Sequence, residues 1–188
     1  MLSIMIILFL MWGFYVGYSR GIALQLFYSA GLIVAMVIAS LNYETLAAKI
    51  SMWIPFINAT ETSKLRFYNN DIIFQLDKVF YSGLAYFIIF TLVYLIFRIA
   101  GIFLGFISGK KLSKSKNQQI IAGVLGFIGV YFGLEMLLTI ASVIPINSLQ
   151  DTLYSSGLVR FMVLKTPIFA HYLMQTWFEQ VIHKNPSI

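Results

Sequence analysis

From Ile120 to Ile144 the chain is apolar except for Tyr131, Thr139, Ser142 and a single charge, Glu135. No other stretch narrows the choice of fold so far. About 20 such residues, wound as a helix, cross the hydrocarbon core of a bilayer. Each residue of a helix advances about 100°, so two stripes emerge. Ala122, Gly126, Gly129 and Gly133 lie along one side, and Tyr131, Glu135, Thr139 and Ser142 along nearly the opposite one. Small residues let a second backbone approach closely, which is how helices associate in lipid. A carboxylate near mid-membrane is costly against hydrocarbon, so Glu135 is expected to face protein or a wet cavity. The segment therefore reads as the central helix of a small bundle.

The rest of the chain agrees. Of its 188 residues 60% are hydrophobic and 11% charged, against about a quarter charged in soluble domains. This excludes an ordinary soluble globule and indicates an all-α, polytopic membrane protein. Residues 1–188 are expected to form one domain. With no cysteine there is no disulfide framework, thiolate metal site or thiol nucleophile. The net charge of +6 would suggest nucleic acid if it were spread over a surface. Most of the excess instead sits in one short loop, the pattern of a topology signal.

Four spans are expected, about 2–18, 22–41, 79–97 and 120–144. The first has neither a basic residue before it nor a small-x-small cleavage site after it, unlike a signal peptide, and carries the pair Gly13 and Gly17. Tyr18-Ser19-Arg20-Gly21 makes the turn into the second span, whose Gly31 and Ala35 form another small pair. In the long second loop Leu46, Ile50 and Trp53 recur at helical spacing, which predicts a short interfacial helix anchored by Trp53. Asn58-Ala59-Thr60 fits a glycosylation sequon, relevant only in a eukaryotic secretory pathway, and Asn70 and Asp71 resemble a helix cap. Arg98 is placed at the end of the third span, where a long side chain can snorkel to the phosphates; Gly101, Gly105 and Gly109 follow, four apart. In the C-terminal tail, 146–188, Leu158, Phe161, Met162 and Lys165 suggest one amphipathic helix. Thr166-Pro167 caps another, with an apolar stripe (Phe169, Leu173, Trp177, Val181) and a polar one (His171, Gln175, Glu179, His183). Both are expected along the membrane surface.

With four spans, the first and third loops share a side. They hold Arg20, and Arg98 followed by Lys110, Lys111, Lys114 and Lys116. Short basic loops stay in the cytoplasm, so loop 108–119 is assigned there and both termini outside. Each lysine near anionic lipid is worth on the order of 1 kcal/mol. Membrane lipids are thus one expected partner. Nucleic acid is not, because the run is short and has no aromatic residues interleaved for stacking.

The ordered set of motifs resembles a known family. The hairpin Gly13-xxx-Gly17-xx-Arg20-Gly21 is similar to that of the colicin V production protein (CvpA) family. Trp53-Ile54-Pro55, Leu76 to Tyr81, Arg98, Asn117 through Gly126, Ser155-Ser156 and Thr166-Pro167 resemble its members from Gram-positive bacteria. The likeness covers nearly the whole chain in order, though no single motif is specific. Members often carry a basic residue just before the fourth span and another within its glycine run; here those places hold Gln118, Gln119 and Ile128. The resemblance implies a bacterial inner-membrane protein tied to toxin (colicin V or bacteriocin) production and to the cell envelope, with no agreed biochemical activity and no cofactor.

Glu135 admits two readings. It is a proton-titratable or coordinating group of a polar pathway, or a structural glutamate hydrogen-bonded to a Tyr or Gln of a neighbouring helix. Arg20 reads as a topology determinant that also meets the carbonyls ending the first helix; contact with a cytoplasmic partner or with Glu135 is the alternative, and helix depth argues against Glu135, since Arg20 should lie at the inner face and Glu135 beyond the midplane. Arg98 has the same reading as a topology determinant. His171, Glu179 and His183 lack the HExxH spacing of a zinc site and read as a solvated face. No GxSxG elbow or other catalytic set is present. Two functions remain. One is a non-enzymatic envelope protein acting through protein partners of unknown identity, with the glycine face holding the bundle or a homo-oligomer together. The other is a small oligomeric channel or transporter with a path along Tyr131, Glu135, Thr139 and Ser142.

Overall fold

The structure is a computed structural model and describes residues 1–57, 65–108 and 115–182. The sequon Asn58-Ala59-Thr60, Gly109, Lys110, Lys111, Lys114 and His183 lie outside the described residues. All regular structure among the described residues is helical: α1 (Leu2–Arg20), α2 (Ile22–Ile50), a 3-10 segment (Asn70–Gln75), α3 (Leu76–Ser108), α4 (Lys116–Val143), α5 (Asn147–Ser155), α6 (Gly157–Lys165) and α7 (Phe169–Met174). From α7 the chain continues through a π-helical turn (Gln175–Glu179) into α8 (Gln180–Ile182). α1 to α4 are each long and apolar enough to cross a membrane. At 1.5 Å per residue, the 28 residues of α4 extend about 42 Å against a hydrocarbon core of about 30 Å.

All four helices reach beyond the spans read from hydropathy, at one end or both. α2 continues to Ile50, so Leu46 and Ile50 are its last turns and not a separate helix. Tyr43 and Ala47 are buried there, and packing continues the helix where hydropathy fades. Trp53 is left in the turn that follows, exposed as an interfacial anchor would be. α3 runs to Ser108, so Arg98 lies within the helix and not at its end.

The chain divides into two compact units. One comprises 4–39 and 88–133. On α1, Ile6, Leu10, Gly13 and Gly17 form its inner stripe, while Leu8, Phe9, Met11 and Trp12 are exposed, as suits a helix surrounded by lipid. α1 and α4 cross at backbone contact. A Cβ placed on Gly126 would lie 2.5 Å from the carbonyl oxygen of Gly13, and one on Gly17 would collide with the carbonyl of Ala122. Gly129 is looser, with Leu32 at 3.4 Å, and Gly133 has nothing within 4 Å. The close approach therefore involves the first half of the small stripe and not its end. Gly21 ends α1 with φ 88°, a left-handed conformation that glycine adopts without penalty.

The other unit comprises 1–3, 40–87 and 134–188. Its core is aromatic: Tyr43, Phe67, Tyr86, Trp177 and Phe178 are almost wholly buried. Tyr86 meets Trp177 edge-on, ring centroids 5.6 Å apart. The hydroxyl of Tyr43 donates to the carbonyl of Thr176 at 3.1 Å, inside the π-helical turn. The tail is amphipathic as expected, but its apolar stripe is not all available to lipid. Leu173 and Trp177 are fully buried in protein, while His171 and Gln175 are exposed. In α6 the inward face is Val159, Met162 and Val163, and Phe161 is exposed. Thr166 does not cap α7. It bonds back to Met162, and α7 starts after a tight turn in which the amide of Phe169 donates to the carbonyl of Pro167, 3.0 Å. Ile168 at the centre has φ 75°, a strained conformation for a β-branched residue.

Gly126→Ala should lower stability by about 1–3 kcal/mol, as overpacking does. Gly133→Ala should leave it unchanged or slightly raised, since alanine favours helix. Thermal unfolding of the purified variants in detergent measures both; equal losses would show that the crossing is not where the helices touch.

Candidate functional site

Within the second unit, Glu135 is completely buried on α4, and both carboxylate oxygens lack a hydrogen-bond partner. The hydroxyl of Thr166 comes up to the carboxylate. The same hydroxyl donates to the carbonyl of Met162 at 3.0 Å. A carboxyl group placed this way has lost water and gains little in return, a costly form of burial.

One and two turns further, Thr139 and Ser142 are also buried, and the Ser142 hydroxyl is used twice. Ser142 Oγ donates to the carbonyl of Thr139 at 2.7 Å and stands 2.7 Å from the hydroxyl of Tyr68. Since the serine proton is taken, Tyr68 is the donor. Burial pushes the Tyr68 phenol well above its ordinary pKa, with the bond to Ser142 opposing in part. Its ring lies 4.7 Å from that of Phe178.

Gln150 closes this end. A helix leaves its last carbonyls without intrahelical partners, and Pro145 has no amide hydrogen to offer them. Nε2 of Gln150 donates to the carbonyls of Ser142 at 2.7 Å and Ile144 at 3.0 Å. Its Oε1 accepts from the amide of Arg66 at 3.1 Å. One buried amide thus ties the end of α4, the second loop and α5 together. The neighbouring ion pair Arg66–Asp151, 2.9 Å, is half exposed on both sides and adds at most about 1 kcal/mol.

The four polar residues read from α4 are therefore not equivalent. Glu135 is buried without a donor, Thr139 and Ser142 lead into a closed hydrogen-bond network, and Tyr131 is half-buried with its ring 6.0 Å from Phe127. Glu135 is not bonded to a Tyr or Gln. In the first unit Arg20 and Arg98 both lie over the ring of Tyr28, at 5.1 and 4.8 Å from its centroid; Arg98 also faces Tyr94 at 5.8 Å. Arg98 thus stacks on two aromatic rings. Lys116 is exposed at the start of α4. Tyr68, Gln150 and Thr166 join the site although the spacing of α4 points to none of them. The legible signal was Pro145, which leaves helix carbonyls open and calls for a donor nearby.

Comparison with known proteins agrees with this architecture. The family model described as colicin V production protein matches residues 2–167. Over 178 residues the chain is 31% identical to the uncharacterized transmembrane protein YshB of Bacillus subtilis (strain 168), covering 94% of this chain and 97% of that protein. No solved structure matches.

Gln150→Leu would orphan two carbonyls and an amide, so a loss of about 2–4 kcal/mol is expected, since each unsatisfied buried group costs about 1–3 kcal/mol and some relax toward water. Tyr68→Phe removes one bond and should cost about 1 kcal/mol. Thermal melting in detergent ranks the two; a Tyr68→Phe loss as large as that of Gln150→Leu would contradict the assignment of Gln150 as the closing residue.

Proposed function

The chain belongs to the colicin V production protein family, and from that premise we propose that it is a non-enzymatic, multi-pass protein of the bacterial cytoplasmic membrane that supports envelope homeostasis, secretion or toxin production through protein partners. The observation that supports this most directly is the state of the polar residues on α4. Thr139, Ser142, Tyr68 and Gln150 are buried, and the side chains of Ser142, Tyr68 and Gln150 are tied to one another or to the backbone at the end of α4, which describes a rigid scaffold better than a hydrated path. Partners would reach the chain at its ends. The basic residues from Arg98 to Lys116 assign that end to the cytoplasm and the termini to the outside.

A second reading rests on Glu135. A carboxylate with no donor at either oxygen is what a proton- or cation-coupled transporter would hold ready for an incoming proton or ion. Under this reading the closed network is one state of a path that opens.

Two measurements decide. Because the chain has no cysteine, single cysteines report topology cleanly. A cysteine replacing Ile188 should react with a membrane-impermeant maleimide in intact spheroplasts, and one replacing Lys116 only after permeabilisation; the reverse pattern would invert the orientation. In proteoliposomes the unaltered chain and Glu135→Gln should both show no proton or cation flux above empty vesicles. Flux in the unaltered chain that Glu135→Gln abolishes would establish the transporter reading in place of the partner reading.

A further inference from the structure

The two arginines of the first unit share a cavity. It has a volume of about 310 Å³, and Arg20, Gln25, Tyr28, Tyr94 and Arg98 are among the residues that line it. Both guanidiniums are held against Tyr28 and are close enough for each to act electrostatically on the other. Tyr28 itself is fixed by Gly101: a Cβ there would stand 2.6 Å from the Tyr28 hydroxyl. Neither segment of this unit, 4–39 or 88–133, contains an aspartate or glutamate. Seven basic residues elsewhere in the chain are matched by seven acidic ones, so the whole net charge of +6 belongs to this unit. Two like charges are thus gathered around one cavity with no carboxylate in the unit to pair with either.

Gln25 supplies an independent sign. It lines the cavity, is 5% exposed, and its buried Oε1 has no donor. An occupant that completes the site brings negatively charged oxygens to the guanidiniums and a hydroxyl to the amide oxygen. The cavity is also bounded by Trp12 and Leu95, both exposed on the apolar exterior of their helices, so it opens toward the acyl region of the bilayer.

We propose that Arg20, Arg98 and Gln25 form a binding site for a phosphate ester that carries a free hydroxyl, of which a phosphoglycerol headgroup is the simplest form. Arginine suits this role because its planar fork meets phosphate oxygens in pairs and stacks on an aromatic ring at the same time. The phosphate could arrive on a membrane lipid or on a soluble glycerol phosphate, and the lateral opening favours the lipid. The proposal does not depend on the partner reading and stands or falls separately from it.

The test uses the full chain in detergent, titrated with phosphatidylglycerol, phosphatidylcholine or free glycerol 3-phosphate and read by native mass spectrometry. Phosphatidylglycerol should be retained about tenfold or more better than phosphatidylcholine, roughly the gain of one charge-assisted contact. Arg98→Gln and Arg20→Gln should each remove that preference, while Lys116→Gln, an exposed charge, should keep it. Displacement of the lipid by millimolar glycerol 3-phosphate would support the site and assign it to the soluble ester. Equal retention of the two lipids by the unaltered chain would overturn the proposal without reference to any variant. So would a loss in Lys116→Gln equal to that in Arg98→Gln, since a diffuse surface charge would then account for the binding.

Discussion

Hydrocarbon offers no hydrogen bonds, and this one constraint accounts for most of what the chain does. Every backbone amide and carbonyl within the bilayer must be satisfied inside its own segment, which leaves helices as the only regular structure available to a chain of this kind. It also removes the usual reason for helices to associate, since lipid tails are as apolar as leucine. What remains is contact. Gly13, Gly17 and Gly126 bring α1 and α4 to backbone distance, while the leucine, isoleucine and phenylalanine side chains that would form the core of a soluble bundle are exposed in large number.

The same constraint sorts the polar groups. At the end of α4 a helix terminus had to be buried, and Gln150 donates to the carbonyls of Ser142 and Ile144 while Tyr68 bonds the Ser142 hydroxyl. The charged residues are sorted as sharply. One unit holds matched charges, with its single ion pair among the described residues at the exposed rim. The other holds only cations, two of them laid on a tyrosine. Stacking on an aromatic ring lowers the cost of a guanidinium away from water but does not neutralise it; only an anion does that.

The parts of the fold legible in the sequence are those set by length and hydropathy. The four spans, the turn at Gly21 and the stop at Pro145 all follow from a local rule. Where tertiary packing takes over, local rules mislead. The end of α2 reads as a separate interfacial helix because Asn42, Glu44 and Lys49 interrupt the hydropathy, yet Tyr43 and Ala47 are buried and the helix continues to Ile50. Thr166-Pro167 has the sequence of a helix cap, but the hydroxyl bonds backwards to Met162. On α4 the spacing identifies Glu135, Thr139 and Ser142 as one face, and the structure buries all three. The residues that meet this face, 68, 150 and 166, are ones that no periodicity on α4 can reach. Arg20 and Arg98, 78 positions apart in sequence, both reach the ring of Tyr28, which packs directly against Gly101.

Against this background Glu135 is one of a few exceptions among the described residues, with Gln25, Gln118 and Trp177, each of which has a buried side-chain atom without a partner. The hydroxyls of Ser142 and Thr166 bond to helix carbonyls close by, yet neither oxygen of Glu135 meets a partner within hydrogen-bond distance. A glutamine or methionine of similar volume would fit the same place without burying an ionisable group. Stability therefore gives no reason for a glutamate at this position.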